Sequence, residues 1–175
     1  KIEPNYTFRG TVLSPVFSDV CPKVEEEFAY AGMNLLAREE VYAGKICAAL
    51  DRQHPRDLFD INQLYEHDGL TEKMIDVFLY YLLSHNRPVH ELLNCNIQNK
   101  NEIMKTEFEG MTDIEFSYKQ HCETLMKLKS DLLNKLKPYY DFIRDFVQLK
   151  AEFTKSPYPH AEKLPAIQWK IKNLI

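Results

Sequence analysis

Glycine and basic excess are what this chain most conspicuously lacks. Only five of 175 residues are glycine, and none of the five sits in a pattern that would wrap a phosphate. Four cysteines occur, at Cys21, Cys47, Cys95 and Cys122, without any Cys-x-x-Cys spacing, so a zinc site or a disulfide framework is not expected. His90-Glu91 copies half of a zinc-protease motif, but the second histidine is missing. No run of 18 apolar residues exists and no signal peptide is visible, so a membrane span is not expected and a cytoplasmic location is. The net charge is −4, divided as −6 over residues 1–99 and +2 over 100–175. A half that is merely +2 is no footprint of strong nucleic-acid binding. No internal repeat is evident.

What is present is helix-forming sequence around one unusual stretch. Over residues 38–53 the pattern is 3.6-periodic, with Tyr42, Ile46, Ala49 and Leu50 on one face. Lys45 falls beside that apolar stripe, and Arg52 lies nearly in line with it, two turns on and roughly 10 Å along the axis. Ala43, Gly44, Cys47 and Ala48 carry little bulk, which predicts that another backbone or a ligand comes close to Gly44. Pro55 stops this helix and suits the first position of the next, with His54 as N-cap. Asp57 and Asp60, three apart, project from one side of that second helix, and Arg56 is spaced to pair with Asp60. Asp57 also lies near the line of Ile61 and Leu64, so a partly buried carboxylate in need of a cation is expected, with Lys45 or an arginine to supply it. On the residues alone, the simpler reading of Lys45, Arg52, Arg56, Asp57 and Asp60 is a salt-bridge lock between two helices.

The wording of the stretch Glu40-Val-Tyr-Ala-Gly-Lys-Ile-Cys-Ala-Ala-Leu-Asp-Arg-Gln-His-Pro-Arg-Asp-Leu-Phe-Asp60 closely resembles the AbiEii/AbiGii toxin family of nucleotidyltransferases. Lys1-Ile-Glu-Pro-Asn-Tyr-Thr-Phe-Arg-Gly10 and Leu164-Pro-Ala-Ile-Gln-Trp-Lys-Ile-Lys-Asn-Leu174 support it, so that the resemblance spans essentially the whole chain. It implies a nucleotidyltransferase-like fold, a toxin of bacterial toxin–antitoxin or abortive-infection systems, and transfer of a nucleoside monophosphate from an NTP with Mg²⁺. The acceptor would be a molecule such as transfer RNA, and a cognate antitoxin would be a protein partner. Residue by residue, Lys45 matches the family's helical lysine, expected on nucleotide phosphates with Arg52 and Arg56 beside it. Asp57 and Asp60 match its Arg-Asp-x-x-Asp element and would orient Lys45 or the acceptor; Lys45, Asp57 and Asp60 are the expected catalytic set. Glu3 matches a strand carboxylate that completes the metal site, although Pro4 beside it removes a ladder donor.

One part of the family pattern is absent. No Gly-Gly or Gly-Ser followed by Asp-x-Asp/Glu occurs, and the acid-x-acid spacings that do occur, Glu25-Glu26-Glu27 and Asp113-Ile114-Glu115, lie in stretches expected to be helical. The chain is therefore expected to be the C-terminal part of a longer protein and inactive by itself. A non-catalytic module that binds an antitoxin or another partner is the alternative.

The expected architecture is α+β and mostly helical. Residues 1–94 read as the C-terminal part of a nucleotidyltransferase-like domain, and 95–175 as a helical C-terminal subdomain beyond the polar run at 94–101. Within it, a strand and turn are expected over 6–16, a short helix over 22–31 and a short strand over 33–36. Helices are expected from Pro55 to Gly69, over 71–85 with Thr71 as cap, and through Leu93 from Arg87-Pro88. A long helix over 112–136, capped by Thr112, should bury Leu125, Leu128, Leu132 and Leu136, and a further helix covers 139–153. Lys127, Lys129, Lys135 and Lys137 are read as a solvated face, and Trp169 as packed on the bundle.

Overall fold

A computed structural model describes residues 10–175. It is α+β and mostly helical, with a two-stranded antiparallel sheet and nine α-helices among the described residues. Strand β1 is Val16–Asp19 and β2 is Gly32–Leu35, joined through the short helix α1, Pro22–Glu27. Their register pairs Val16 with Leu35 and Ser18 with Met33 on one face, and Phe17 with Asn34 on the other. The strand expected over 6–16 falls partly outside the described residues; the part within them bends, and β1 begins only at Val16.

Two helices form the centre. Helix α2, Arg38–Asp51, and helix α3, Pro55–His67, make an antiparallel hairpin, and α2 packs along α4, Glu72–Leu83. Helix α3 ends where Gly69 takes φ +67°, a left-handed conformation that costs glycine little, and its N–H caps the Leu64 carbonyl at 2.7 Å. Thr71 Oγ1 then accepts the Met74 N–H at 3.2 Å and starts α4. Helix α4 is the most enclosed element: Phe78, Leu79, Leu82 and Leu83 are fully buried, each contributing about 1.5–3 kcal/mol of apolar burial.

The remaining helices wrap this pair. Short α5, Val89–Leu93, and α6, Asn101–Glu107, precede α7, Tyr118–Lys135, which lies against α3; α8, Tyr140–Val147, and α9, Pro165–Leu174, follow, with α9 returning to α4. One continuous cluster of buried apolar side chains runs from Val12 through Leu50, Phe78 and Leu128 to Ile167, on both sides of residue 94.

Two helix boundaries differ from the sequence expectation for identifiable reasons. Thr112 Oγ1 accepts the Ile114 N–H in a local turn, residues 113–115 are not helical, and Phe116 plugs into a ring cluster with Phe59 and Phe108. The long helix instead starts at a capping box: Ser117 Oγ accepts the Gln120 N–H and Gln120 Oε1 accepts the Ser117 N–H. The helix expected to reach 153 stops at Val147. There Leu149 adopts φ +59°, the Lys150 N–H bonds the Asp145 carbonyl and the Leu149 N–H the Phe146 carbonyl, a Schellman ending without glycine. Trp169, expected to pack on the bundle, is 48% exposed.

Candidate functional site

Helices α2 and α3 bring four of the sequence-predicted residues onto one seam. As the chain climbs α2 from Lys45 to Arg52, it turns and passes Asp57 before Asp60, so the antiparallel hairpin matches Lys45 with Asp60 and Arg52 with Asp57. Lys45 Nζ donates to Asp60 Oδ2, with both side chains 37% exposed. Arg52 grips Asp57 with two parallel bonds, Nε to Oδ2 at 2.5 Å and Nη2 to Oδ1 at 2.7 Å. Asp57 is 8% exposed and Arg52 66%, so the carboxylate is the buried member and the guanidinium its lid toward water. This bond holds the Arg52 guanidinium even more firmly protonated than usual. Asp57 also stands in the first turn of α3, where the helix dipole favours its charge.

Two expectations are corrected here. Arg56 does not pair with Asp60: its side chain is exposed and forms no ion pair among the described residues, because Lys45 already occupies Asp60. Gly44 does not mark a tight approach: a Cβ built there would lie 3.6 Å from the Tyr81 ring, an ordinary van der Waals contact. Glu3 lies outside the described residues.

The turn between the helices contains the residue that sequence reasoning missed. Gln53 is fully buried at φ +51°. Its amide nitrogen donates to the Asn96 carbonyl at 2.7 Å, and its amide oxygen accepts the Gln98 N–H at 2.8 Å. Its own carbonyl lies 3.0 Å from His121 Nε2; a carbonyl only accepts, so that nitrogen carries the proton. Burial lowers the His121 pKa, and the ring stacks on Tyr118. The polar run after residue 94 is thus bolted to the α2–α3 turn, and Lys129 Nζ adds a bond to the Cys95 carbonyl. The only sequence signal was a glutamine between two helices with too few residues to reach water.

Glu40 was missed as well. It is 1% exposed, and its carboxylate accepts the N–H groups of Val12 and Leu13 and the Tyr81 hydroxyl at 2.6 Å, which fixes the entry of α2 against α4. At the other end of α2, Arg87 Nη1 reaches Asp51 Oδ1 at 2.9 Å and tempers an acid placed unfavourably at a helix C-terminus. His54 is a working N-cap, its Nδ1 accepting the Arg56 N–H.

The seam lies open on the surface. A separate apolar groove of about 500 Å³ between α5, α7, α8 and α9 is lined by Leu93, Leu133, Ile143 and Phe146 among others, and by none of the seam residues. Among the described residues no group of three or more His, Cys, Asp or Glu is placed to hold a metal ion, and Asp57 and Asp60 are each engaged by a cation. These side chains do not fit a Mg²⁺ centre. What they can do is present two cations, Lys45 and Arg52, whose carboxylate partners set their direction. No described helix is long and apolar enough to cross a membrane.

Against this geometry, the sequence model of the family described as nucleotidyl transferase AbiEii toxin, type IV toxin–antitoxin system, matches residues 1–170. No curated protein and no solved structure matches the chain.

Proposed function

The chain belongs to the AbiEii family of nucleotidyl transferase toxins, and from that premise we propose that the α2–α3 seam is where it meets the phosphates of an NTP. Membership of a type IV toxin–antitoxin family implies a nucleotidyltransferase-like role, an NTP substrate and an antitoxin partner. The finer assignment is ours: transfer of a nucleoside monophosphate to an acceptor such as transfer RNA, by the intact protein with Mg²⁺. In such a transfer an acceptor oxygen bonds to the α-phosphorus while the bond to the bridging oxygen breaks and pyrophosphate leaves. Lys45 neutralises charge on the phosphates, and Asp60 orients Lys45 until phosphate takes its place. Arg52, held from behind by Asp57, supplies the second cation, and exposed Arg56 is available as a third. Glu3 keeps the role that the resemblance gives it, a metal carboxylate. Residues 1–94 carry this site, and 95–175 form the helical subdomain that braces its turn.

The observation that carries this reading is the half-exposed Lys45–Asp60 pair one turn along α3 from a nearly buried Asp57 under an exposed Arg52. Lys45→Ala in the intact protein should lower labelled-NMP transfer by at least about a hundredfold, the loss seen when one charge-stabilising donor is removed. Its melting temperature should move little, because exposed pairs contribute only about 0.2–1 kcal/mol. Transfer retained in Lys45→Ala sinks the role. A second reading, an antitoxin- or partner-binding module without catalysis, is favoured by the completeness of the pairing, since Lys45 and Arg52 are both already neutralised. Intact wild-type protein that transfers none of the four NMPs, while Lys45→Ala only destabilises it, supports that reading instead.

A further inference from the structure

The turn that joins α2 to α3 is held in a conformation that its own sequence disfavours. Gln53 has φ +51° and no exposure to solvent, and the left-handed region is unfavourable for a residue that carries a Cβ. At Gly69, just past the end of α3, the same region is occupied by a glycine at little cost. A torsion such as that of Gln53 persists only where its surroundings over-determine it, and beside a candidate site it points to a functional constraint. The restraints come from residues 96–121. Gln53 Nε2 donates to the Asn96 carbonyl at 2.7 Å, Oε1 accepts the Gln98 N–H at 2.8 Å, and the Gln53 carbonyl accepts from His121 Nε2 at 3.0 Å. The next residue is tied to the same stretch. His54 Nδ1 accepts the Arg56 N–H, so its Nε2 carries the proton and donates to Glu107 Oε2 at 3.2 Å.

This is also where an angular error does most harm to the seam. Arg52 directly precedes Gln53, and Asp57 follows four residues later on α3. The Gln53 torsion therefore sets how the guanidinium meets the carboxylate through its two bonds. A return of Gln53 to a helical φ of about −63° would turn the chain by more than a right angle beside Arg52. The buried amide prevents that return, because leaving the left-handed region strands the Asn96 carbonyl and the Gln98 N–H without their partner.

We propose that Gln53 is a positioning residue: clamped to Asn96 and Gln98, it keeps the turn left-handed and so holds Arg52 on Asp57, aimed at the nucleotide phosphates. The inference rests on the assignment of the seam to an NTP, and it makes residues 96–121 determinants of substrate binding as well as of packing. Two measurements test it. In the 175-residue chain, urea unfolding of Arg52→Ala, Asp57→Ala and the double variant gives the coupling of that pair as a ratio of equilibrium constants. Repeated in a Gln53→Ala background, the cycle should return a ratio smaller by at least about fivefold. In the intact protein, Gln53→Ala should raise KM for the NTP about tenfold with the acceptor KM unchanged, since a misplacement of ~1 Å costs up to about a hundredfold. A merely structural role would lower apparent kcat with the folded fraction and leave KM where it is. Gln53→Gly loses the same amide bonds but takes the left-handed torsion freely, so its KM should fall between those of the wild type and Gln53→Ala. An unchanged Arg52–Asp57 coupling, a wild-type NTP KM in Gln53→Ala, or a Gln53→Gly no better than Gln53→Ala overturns the proposal. Arg52→Ala separates the two levels of failure. If it leaves the NTP KM unaltered, the seam assignment fails and the proposal falls with it; if it raises KM while Gln53→Ala does not, the positioning role alone is rejected.

Discussion

Arg52→Ala and Asp57→Ala remove the same two hydrogen bonds, and they should not cost the same. In the native hairpin the Asp57 carboxylate is 8% exposed and takes both bonds from a guanidinium that is 66% exposed. Deleting the arginine leaves a charge in the packed layer between α2 and α3, with the dipole at the start of α3 still favouring it. Bonds to charged groups are worth about 1.5–3 kcal/mol when the partner left behind is buried, so Arg52→Ala should destabilise by about 2 kcal/mol. Deleting the aspartate instead leaves a guanidinium that water already reaches, and the loss should be about 1 kcal/mol or less. The double variant should then fall close to Asp57→Ala alone, because the stranded carboxylate is gone. Urea unfolding followed by circular dichroism reads all three, and the corresponding melting shift for Arg52→Ala in a chain of this length is about 4–8 °C. Equal losses for the two single variants, or a double variant worse than Arg52→Ala, would show that the seam is not organised around a buried Asp57.

The remaining outcomes are narrower. Gly44→Ala should stabilise by about 0.5–1 kcal/mol, since the new Cβ meets the Tyr81 ring at an ordinary 3.6 Å while helix propensity improves; a lowered urea midpoint would mean that the ring cannot tolerate the contact. His121 has its pKa lowered by burial, so the unfolded chain binds the proton more readily. Stability from the neutral ring is present above the unfolded value of about 6.5 and is lost as pH falls toward the lower folded one. Urea midpoints between pH 8 and pH 5 should show this loss in the wild type and less of it in His121→Gln; identical slopes would remove His121 as the cause.

Local patterns in the sequence set much of the fold before any packing was visible. The apolar stripe of α2, Pro55 at the start of α3, the Gly69 stop and the Thr71 cap each depend on residues within one or two turns, and α2, α3 and α4 stand where those signals put them, with ends shifted by a residue or two. Where a boundary depended on a distant contact, the local signal misled. Thr112 looked like a cap but closes a small turn, because Phe116 is drawn into the rings of Phe59 and Phe108 from two other parts of the chain. Leu149 ends α8 in a left-handed conformation that no glycine or proline announces.

For the site, the sequence by itself determined the residue types, their family and their helical phase: Lys45 and Arg52 on one side of α2, Asp57 and Asp60 on one side of α3. Periodicity fixes which side chains share a face, because that follows from 3.6 residues per turn. Partner choice does not follow from periodicity. Only the tertiary structure decided that Lys45 takes Asp60, that Arg52 takes Asp57 and that Arg56 forms no ion pair among the described residues, because the crossing and separation of α2 and α3 are set by the Gln53 turn. That turn is in turn held by Asn96, Gln98 and His121, residues 43 to 68 positions away, and an interaction at that distance leaves no period in the chain to read.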